Sequence, residues 1–299
     1  MTKPRILFVQ HELYTWPLAK MWSHNFHLGL ESGFAANGLD FTTLVTSWFP
    51  AARDLLDGKP FDQIWINDIA HAFRDGGCGG YPMRERDLEW LAGLAPIRVG
   101  FVNETLQYSA EEHASNGDLR ELQEALRRTA RYMTHILAID ENDLNYLRTL
   151  APVSVLWMVP CMPKAFIRAA GEPPTIHRGL FIGTPYGARA DWLQMPELRE
   201  TLARHDSPDS RSIIPQRFDE LHAAIRVGSS VDAPRRAHAY ASYLWELRKL
   251  RELSYQMYLD GLREGAAVVH LPSYCKVYNA RVYEGMAAGR PVITSRGDG

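Results

Sequence analysis

Short apolar runs alternate with amphipathic stretches along the first half of the chain. The runs are rich in β-branched and aromatic residues, as buried strands are, and the amphipathic stretches carry apolar residues at helical spacing. The predicted strands are residues 5–10, 39–45, 61–66, 97–102, 135–139 and 153–158. The predicted helices among them are residues 22–37, 84–92 and 119–132. Strands that alternate with helices predict a parallel, doubly wound α/β sheet.

A proline-rich segment divides the chain. Four prolines and Gly171 fall between residues 159 and 178, which is typical of a linker. Beyond it the pattern predicts mostly helix over 189–264, with one long amphipathic helix at 241–263. Three further strands at 179–182, 266–271 and 291–294 and a helix at 282–288 complete the prediction.

We therefore expect an N-terminal α/β domain at 1–160, a linker at 161–178 and a C-terminal domain at 179–299. The last predicted strand is not followed by a helix that would cover it. The C-terminal domain is for this reason expected to be truncated or divergent, and so incomplete.

Composition and charge exclude several classes of protein. Of 299 residues, 46% are hydrophobic and 23% charged, which is ordinary for a globular chain and excludes a disordered one. The net charge of −2 lacks the positive field of a dedicated nucleic-acid binder. The chain has no apolar run of the length that a membrane span needs. Its three cysteines form no CxxC pair, which favours reduced thiols and a cytoplasmic protein.

The residues with the most chemical information lie between 266 and 295. A buried strand leads to a loop that contains Lys276, and a helix then starts near Arg281 and carries Glu284 in its first turn. Backbone N–H groups at a helix start, together with the two cations, favour binding of an anion such as a diphosphate. The same pattern is also typical of an ordinary strand–loop–helix crossover, whose glutamate suits the positive end of the helix.

Residues 281–293, RVYEGMAAGRPVI, resemble the donor-binding segment of GT-B glycosyltransferases, the two-domain enzymes that use nucleotide sugars. The similarity is closest to the retaining group 1 type and its CgeB-like (spore-maturation) branch. The resemblance implies two Rossmann-like doubly wound domains and assigns Glu284 to the ribose hydroxyls of the donor. Hydrogen bonds to a charged group contribute about 1.5–3 kcal/mol each, so loss of Glu284 is expected to weaken donor binding.

Two more segments resemble the same family in the same order. Residues 179–189, GLFIGTPYGAR, resemble the first strand and glycine turn of its C-terminal domain, and residues 159–166 resemble its interdomain segment. The resemblance implies that Gly183 allows close approach of the backbone and that Arg189, with Lys276 or Arg281, holds the donor phosphates. Lys276 itself departs from the family pattern, which has an acidic residue at that position.

Acceptor-side candidates lie in loops that follow the N-terminal strands, where open α/β sheets bind ligands. His11 follows the first strand, Asp68 the third and Glu104 the fourth. We select His11 and Glu104 as catalytic candidates, because either can orient or deprotonate an acceptor hydroxyl. Solvated loop side chains without a catalytic role are the alternative for each position.

The resemblance implies transfer of a sugar from a nucleotide diphospho-sugar to a hydroxyl of a glycan or other acceptor, with retention of configuration and without a metal ion. The nucleotide sugar is then the donor substrate, and no separate cofactor, structural nucleic-acid partner or membrane span is expected. Two other functions stay open. One is a non-catalytic glycosyltransferase-like protein that binds a nucleotide or glycan, which Lys276 favours, and the other is a sugar-nucleotide epimerase of GT-B architecture.

Overall fold

Two parallel sheets organise the chain. The structure, a computed structural model, describes residues 3–10, 25–56, 58–70, 84–103, 106, 119–183, 188–205, 217–226, 233–271 and 280–294. The six-stranded sheet has the strand order 2-1-3-4-5-6 and consists of β1 Arg5–Gln10, β2 Asp40–Val45, β3 Gln63–Ile66, β4 Ile97–Val102, β5 His135–Ala138 and β6 Ser154–Trp157. The four-stranded sheet has the order 10-9-7-8 and consists of β7 Ile176–Ile182, β8 Leu202–His205, β9 Gly265–His270 and β10 Val292–Thr294. Every pairing in both sheets is parallel, which confirms the predicted α/β class.

Helices connect these strands. In chain order the described helices are α1 Asn25–Ala36, α2 Phe49–Leu56, α3 Glu85–Leu94, α4 Leu119–Ala130, α5 Leu144–Leu150, α6 Ala188–Trp192, α7 Pro196–Thr201, α8 Arg217–Arg226, α9 Ala233–Arg263 and α10 Ala280–Ala287. None of the helices in the described ranges combines the length and the apolar character needed to cross a membrane.

The differences from the predicted pattern include three elements and the starts of β7 and α9. Strand β7 begins at Ile176, within the predicted linker, and not at residue 179. The prediction omits the short helices α2 and α5 and the strand β8. The sequence of β8, LARH, has no apolar run. This strand lies at the edge of its sheet, and none of its described side chains is buried. Helix α9 begins at Ala233 and not at residue 241. Pro234 suggests a break in the sequence, but proline is well tolerated in the first turn of a helix.

Helix α9 contributes to two of the three hydrophobic cores that the described residues form. The residues of its first part pack with the six-stranded sheet, and those of its last part pack with the four-stranded sheet. The first group is Tyr240, Tyr243, Leu247 and Leu250, and the second is Tyr255, Tyr258, Leu259 and Leu262. Helix α8 adds Leu221 and Ile225 to the first core. The predicted domain limits stay a prediction, and the packing shows that helices which follow the linker cover the N-terminal sheet.

A buried network of charged and polar side chains joins α9 to the carboxyl end of β1. Arg251 Nη2 donates to Gln10 Oε1 at 2.6 Å, and Gln10 Nε2 donates to Glu31 Oε1 at 2.9 Å. Arg251 Nη1 lies 3.8 Å from the same Glu31 oxygen, and all three residues are buried. Burial lowers the pKa of Arg251, and the Glu31 carboxylate opposes that shift. The network therefore fixes a cation and an anion where water is excluded.

We expect Arg251→Met to lower the free energy of unfolding by about 3 kcal/mol, because it leaves the buried Glu31 carboxylate without its buried cation. Arg248→Met is the matched control, since Arg248 lies 3.7 Å from Glu31 but is partly exposed, and it should cost less than about 1 kcal/mol. Urea denaturation measures both. Equal losses for the two variants would contradict a special role for the buried cation.

Tyr240 holds the edge strand of the six-stranded sheet. Its hydroxyl accepts a hydrogen bond from Val45 N at 3.0 Å and donates one to Thr43 O at 3.2 Å. Both backbone groups belong to β2, which lies at the edge of the described sheet, next to β1. The hydroxyl of a helix residue thus satisfies strand groups that an edge otherwise leaves without partners.

We expect Tyr240→Phe to destabilise the fold by about 2 kcal/mol, because a buried backbone N–H and C=O lose their partner. Tyr255→Phe on the same helix is the control. The Tyr255 hydroxyl contacts only Met162 Sδ at 3.3 Å among the hydrogen bonds of the described residues, and thioether sulfur is a weak acceptor. Thermal unfolding should show a clearly larger loss of stability for Tyr240→Phe than for Tyr255→Phe. A larger loss for Tyr255→Phe would refute the role of Tyr240 at the edge strand.

Candidate functional site

The candidate site lies at the carboxyl edge of the four-stranded sheet. Strand β7 ends at Ile182 and β9 at His270, and helix α10 begins at Ala280. The side chains of Arg189, Arg281 and Glu284 are brought to this edge. Ligands of open parallel sheets bind at such an edge, outside the carboxyl ends of the strands.

Two arginines share one aromatic ring. The guanidinium carbons of Arg189 and Arg281 each lie 5.5 Å from the centroid of the Phe181 ring, which suits cation–π contact. Arg189 Nε and Nη2 donate to the Leu271 carbonyl at 3.1 and 2.9 Å. We call Arg189 and Arg281 the arginine pair. Because one member is fixed by the backbone that follows β9, the pair forms a positioned centre of positive charge.

Gly183 leaves the space that Arg281 occupies. A Cβ atom at residue 183 would lie 2.6 Å from Arg281 Nη1, which is closer than a contact allows. The close approach of Gly183 to the donor phosphates, which the resemblance implies, stays a prediction, and in the structure the group next to Gly183 is the Arg281 guanidinium. A side chain at residue 183 would therefore displace the Arg281 guanidinium from its position on Phe181.

Glu284 is anchored by a residue that the sequence did not indicate. Its side chain is 1% exposed, and its Oε2 accepts a hydrogen bond from the Tyr258 hydroxyl of α9 at 2.9 Å. Burial raises the pKa of Tyr258, which the Arg281 charge opposes and the Glu284 carboxylate reinforces. The phenol therefore stays protonated and donates to the carboxylate. The contact of Glu284 with a ribose stays a prediction.

His270 is a second residue that the sequence analysis missed. It is 3% exposed, and its Nδ1 lies 3.0 Å from Thr294 Oγ1 of the neighbouring strand β10. Burial, together with the charges of Arg281 and Arg189, lowers the pKa of His270 from 6.5 to about 4. The imidazole is therefore neutral at pH 7. The available signal was a histidine at the end of an otherwise apolar strand, GAAVVH.

Of the predicted donor-site residues, the structure brings together Gly183, Arg189, Arg281 and Glu284. Lys276 and the acceptor-side candidates His11 and Glu104 lie outside the described residues. Their predicted roles stay predictions.

Polar side chains also gather at the carboxyl edge of the six-stranded sheet. Asn103, which follows β4, donates through Nδ2 to Asn67 Oδ1 at 2.6 Å, and Asn67 Nδ2 lies 2.9 Å from His27 Nε2. Asp68 beside them is buried and has a positive φ of 52°. The described ranges hold no group of three or more His, Cys, Asp or Glu side chains arranged for a metal ion. The amides of Asn67 and Asn103 and the imidazole of His27 thus form a hydrogen-bonded group at the carboxyl edge of the six-stranded sheet.

Comparisons with known proteins give similarity at the level of structure only. Neither a protein-family model nor a curated protein matches the chain. One solved neighbour is the glycosyltransferase of kitacinnamycin, with 10% identity, a TM-score of 0.40 and coverage of 100% of this chain and 82% of that one. Another is Glycyrrhiza uralensis UGT73P12 complexed with glycyrrhetinic acid 3-O-monoglucuronide, with 11% identity, a TM-score of 0.40 and coverage of 98% and 76%. The chemistry of the site therefore rests on the residues of this chain.

We expect stability to fall with acid in a way that depends on His270. The folded state holds this imidazole neutral down to about pH 4, whereas the unfolded chain protonates it below about 6.5. The contribution of neutral His270 to the free energy of unfolding is thus fully present above pH 6.5. It is lost as the pH falls toward 4, and the loss is about 2 kcal/mol at pH 4.5. Urea unfolding at pH 7 and 4.5 should show a smaller loss for His270→Gln than for the wild type. An equal loss would contradict the depressed pKa.

Proposed function

We propose that this chain is a glycosyltransferase that moves a sugar from a nucleotide diphospho-sugar to an acceptor hydroxyl, with retention of configuration and without a metal ion. The observation that carries the proposal is the arginine pair on Phe181 at the carboxyl edge of the four-stranded sheet. Retention and metal independence follow from the resemblance of residues 281–293 to the retaining group 1 type.

The charge of the arginine pair matches the donor. A diphosphate bridge carries two negative charges, and each planar guanidinium can donate two parallel hydrogen bonds to phosphate oxygens. When the bond between sugar and phosphate breaks, negative charge grows on the phosphate oxygen that leaves. Cations already in position stabilise that charge without reorganisation, which lowers the barrier. The bonds from Arg189 to the Leu271 carbonyl supply that positioning.

The remaining proposed site residues bind either the donor or the acceptor. Glu284 lies one helical turn after Arg281 on α10, so a carboxylate for ribose hydroxyls and a cation for phosphate come from the same short helix. A carboxylate accepts several hydrogen bonds, so the Tyr258 bond is compatible with further bonds to a ribose. On the acceptor side we propose His11 and Glu104, each of which follows a strand of the six-stranded sheet.

We expect Arg281→Gln to weaken binding of the preferred nucleoside diphosphate at least tenfold, which corresponds to about 1.4 kcal/mol. The loss follows from removal of charge-assisted hydrogen bonds to phosphate. The control is Arg178→Gln, because Arg178 is exposed on β7, outside the arginine pair. Calorimetric titration with UDP, GDP, ADP and TDP in EDTA identifies the preferred nucleotide and compares the variants.

Binding lost in Arg281→Gln and kept in Arg178→Gln supports the donor site. If a folded wild type binds none of the four nucleotides, the proposal is wrong. Incubation of the matching nucleotide sugar with candidate acceptors then tests turnover. Conversion of the sugar without an acceptor would favour an epimerase, and binding without turnover would favour a non-catalytic binding protein.

A further inference from the structure

His270 lies in the candidate site, and one of its ring nitrogens has no hydrogen-bond partner among the described residues. Its Nδ1 contacts Thr294 Oγ1 at 3.0 Å, whereas Nε2 is buried and makes no hydrogen bond within the described part of the chain. The residue is 3% exposed. Buried polar atoms without partners are rare in folded proteins, and each one requires an explanation.

The charges that act on His270 come from the arginine pair. Arg281 on α10 and Arg189 on α6 both disfavour the protonated imidazole through their charge. Thr294 on β10, which contacts Nδ1, contributes an uncharged hydroxyl. On α9 the Tyr258 hydroxyl is bonded to Glu284. The charged groups of the described residues that act on the imidazole are thus Arg281 and Arg189, and both are positive.

We propose that His270 contacts the donor diphosphate: in mildly acidic solution, binding of a nucleotide diphospho-sugar draws a proton from solvent onto His270, and Nε2–H then donates to a phosphate oxygen. The inference rests on the proposed function, because the ligand is the donor named there. In the protonated ring both nitrogens are donors, so Nδ1–H bonds to Thr294 Oγ1 while Nε2–H bonds to the ligand. The step forms one N–H bond and breaks no bond of the donor.

The reason for proton uptake is electrostatic. Without ligand, two guanidinium groups oppose a third positive charge. A bound diphosphate brings two negative charges that offset the arginine pair, and the penalty on the imidazolium is then removed. If the bound imidazole regains its ordinary pKa of 6.5, the affinity for donor should rise roughly fourfold between pH 7.5 and 6.0.

The test uses nucleotide diphospho-sugars, because their esterified diphosphates carry no proton that titrates near neutrality. UDP-glucose, GDP-mannose, ADP-glucose and dTDP-glucose are titrated into the full chain at pH 6.0 in two buffers of different ionisation enthalpy. The difference in apparent heat gives the protons taken up per ligand bound. The wild type should take up more than roughly half a proton, as linkage requires for the pKa change given above.

The variants identify the group that takes up the proton. His270→Gln keeps a hydrogen-bonding amide but cannot be charged, so its proton uptake should vanish and its affinity should stop rising at pH 6.0. His270→Asn, which can still bond to Thr294, gives the same comparison if the glutamine variant does not fold. His177→Gln is the matched control, since His177 is exposed near the start of β7 and should leave uptake unchanged.

Each outcome decides the inference. Proton uptake in the wild type that disappears with His270 supports it. Binding without uptake, or uptake that persists in the His270 variants, overturns it and leaves the proposed function intact. Failure of every donor to bind overturns both.

Discussion

Helix α9 is the element on which the arrangement of the molecule depends. It has 31 residues, which at 1.5 Å per residue gives a length of about 46 Å, and it is packed into one core near its start and the other near its end. Its tyrosines show this division: Tyr240 bonds to strand β2 of the six-stranded sheet, and Tyr258 bonds to Glu284 in the candidate site. A movement of one sheet relative to the other must therefore bend α9 or disturb one of its two cores.

The buried Arg251 network lies at the point where α9 passes from one core to the other. A buried ion pair is a weak source of stability, because both charges lose their hydration. It does, however, demand specific geometry, since an arginine without its acceptors in that place is strongly disfavoured. Gln10 supplies one acceptor, and it is the last residue of β1, immediately before the catalytic candidate His11. The network therefore fixes α9 relative to the carboxyl end of β1, the strand that His11 follows in the sequence.

Much of the fold is predictable from sequence, because parallel strands are buried on both faces and give continuous apolar runs. The strands β1 and β4 match the predicted limits, whereas β8 is a short edge strand without such a signal. The site is less predictable. Local spacing places Arg281 and Glu284 on one helix, but the contacts that fix them come from Gly183, Tyr258 and Phe181, which are remote in sequence. Periodicity describes one element at a time and carries no information on such contacts.

The two kinds of charge in the candidate site are held by different sets of contacts. Arg189 and Arg281 lie against Phe181, next to a glycine that provides room for a guanidinium, whereas Glu284 is bonded to a phenol of α9. Positive charge is thus supported by the strand end, and the Tyr258 phenol of α9 lies near both charges, since Arg281 and Glu284 each affect its pKa. A diphosphate and a sugar ring need those two kinds of group side by side. The candidate site is accordingly a property of how α9 and β7 are held together, and residues 281–293 alone do not form it.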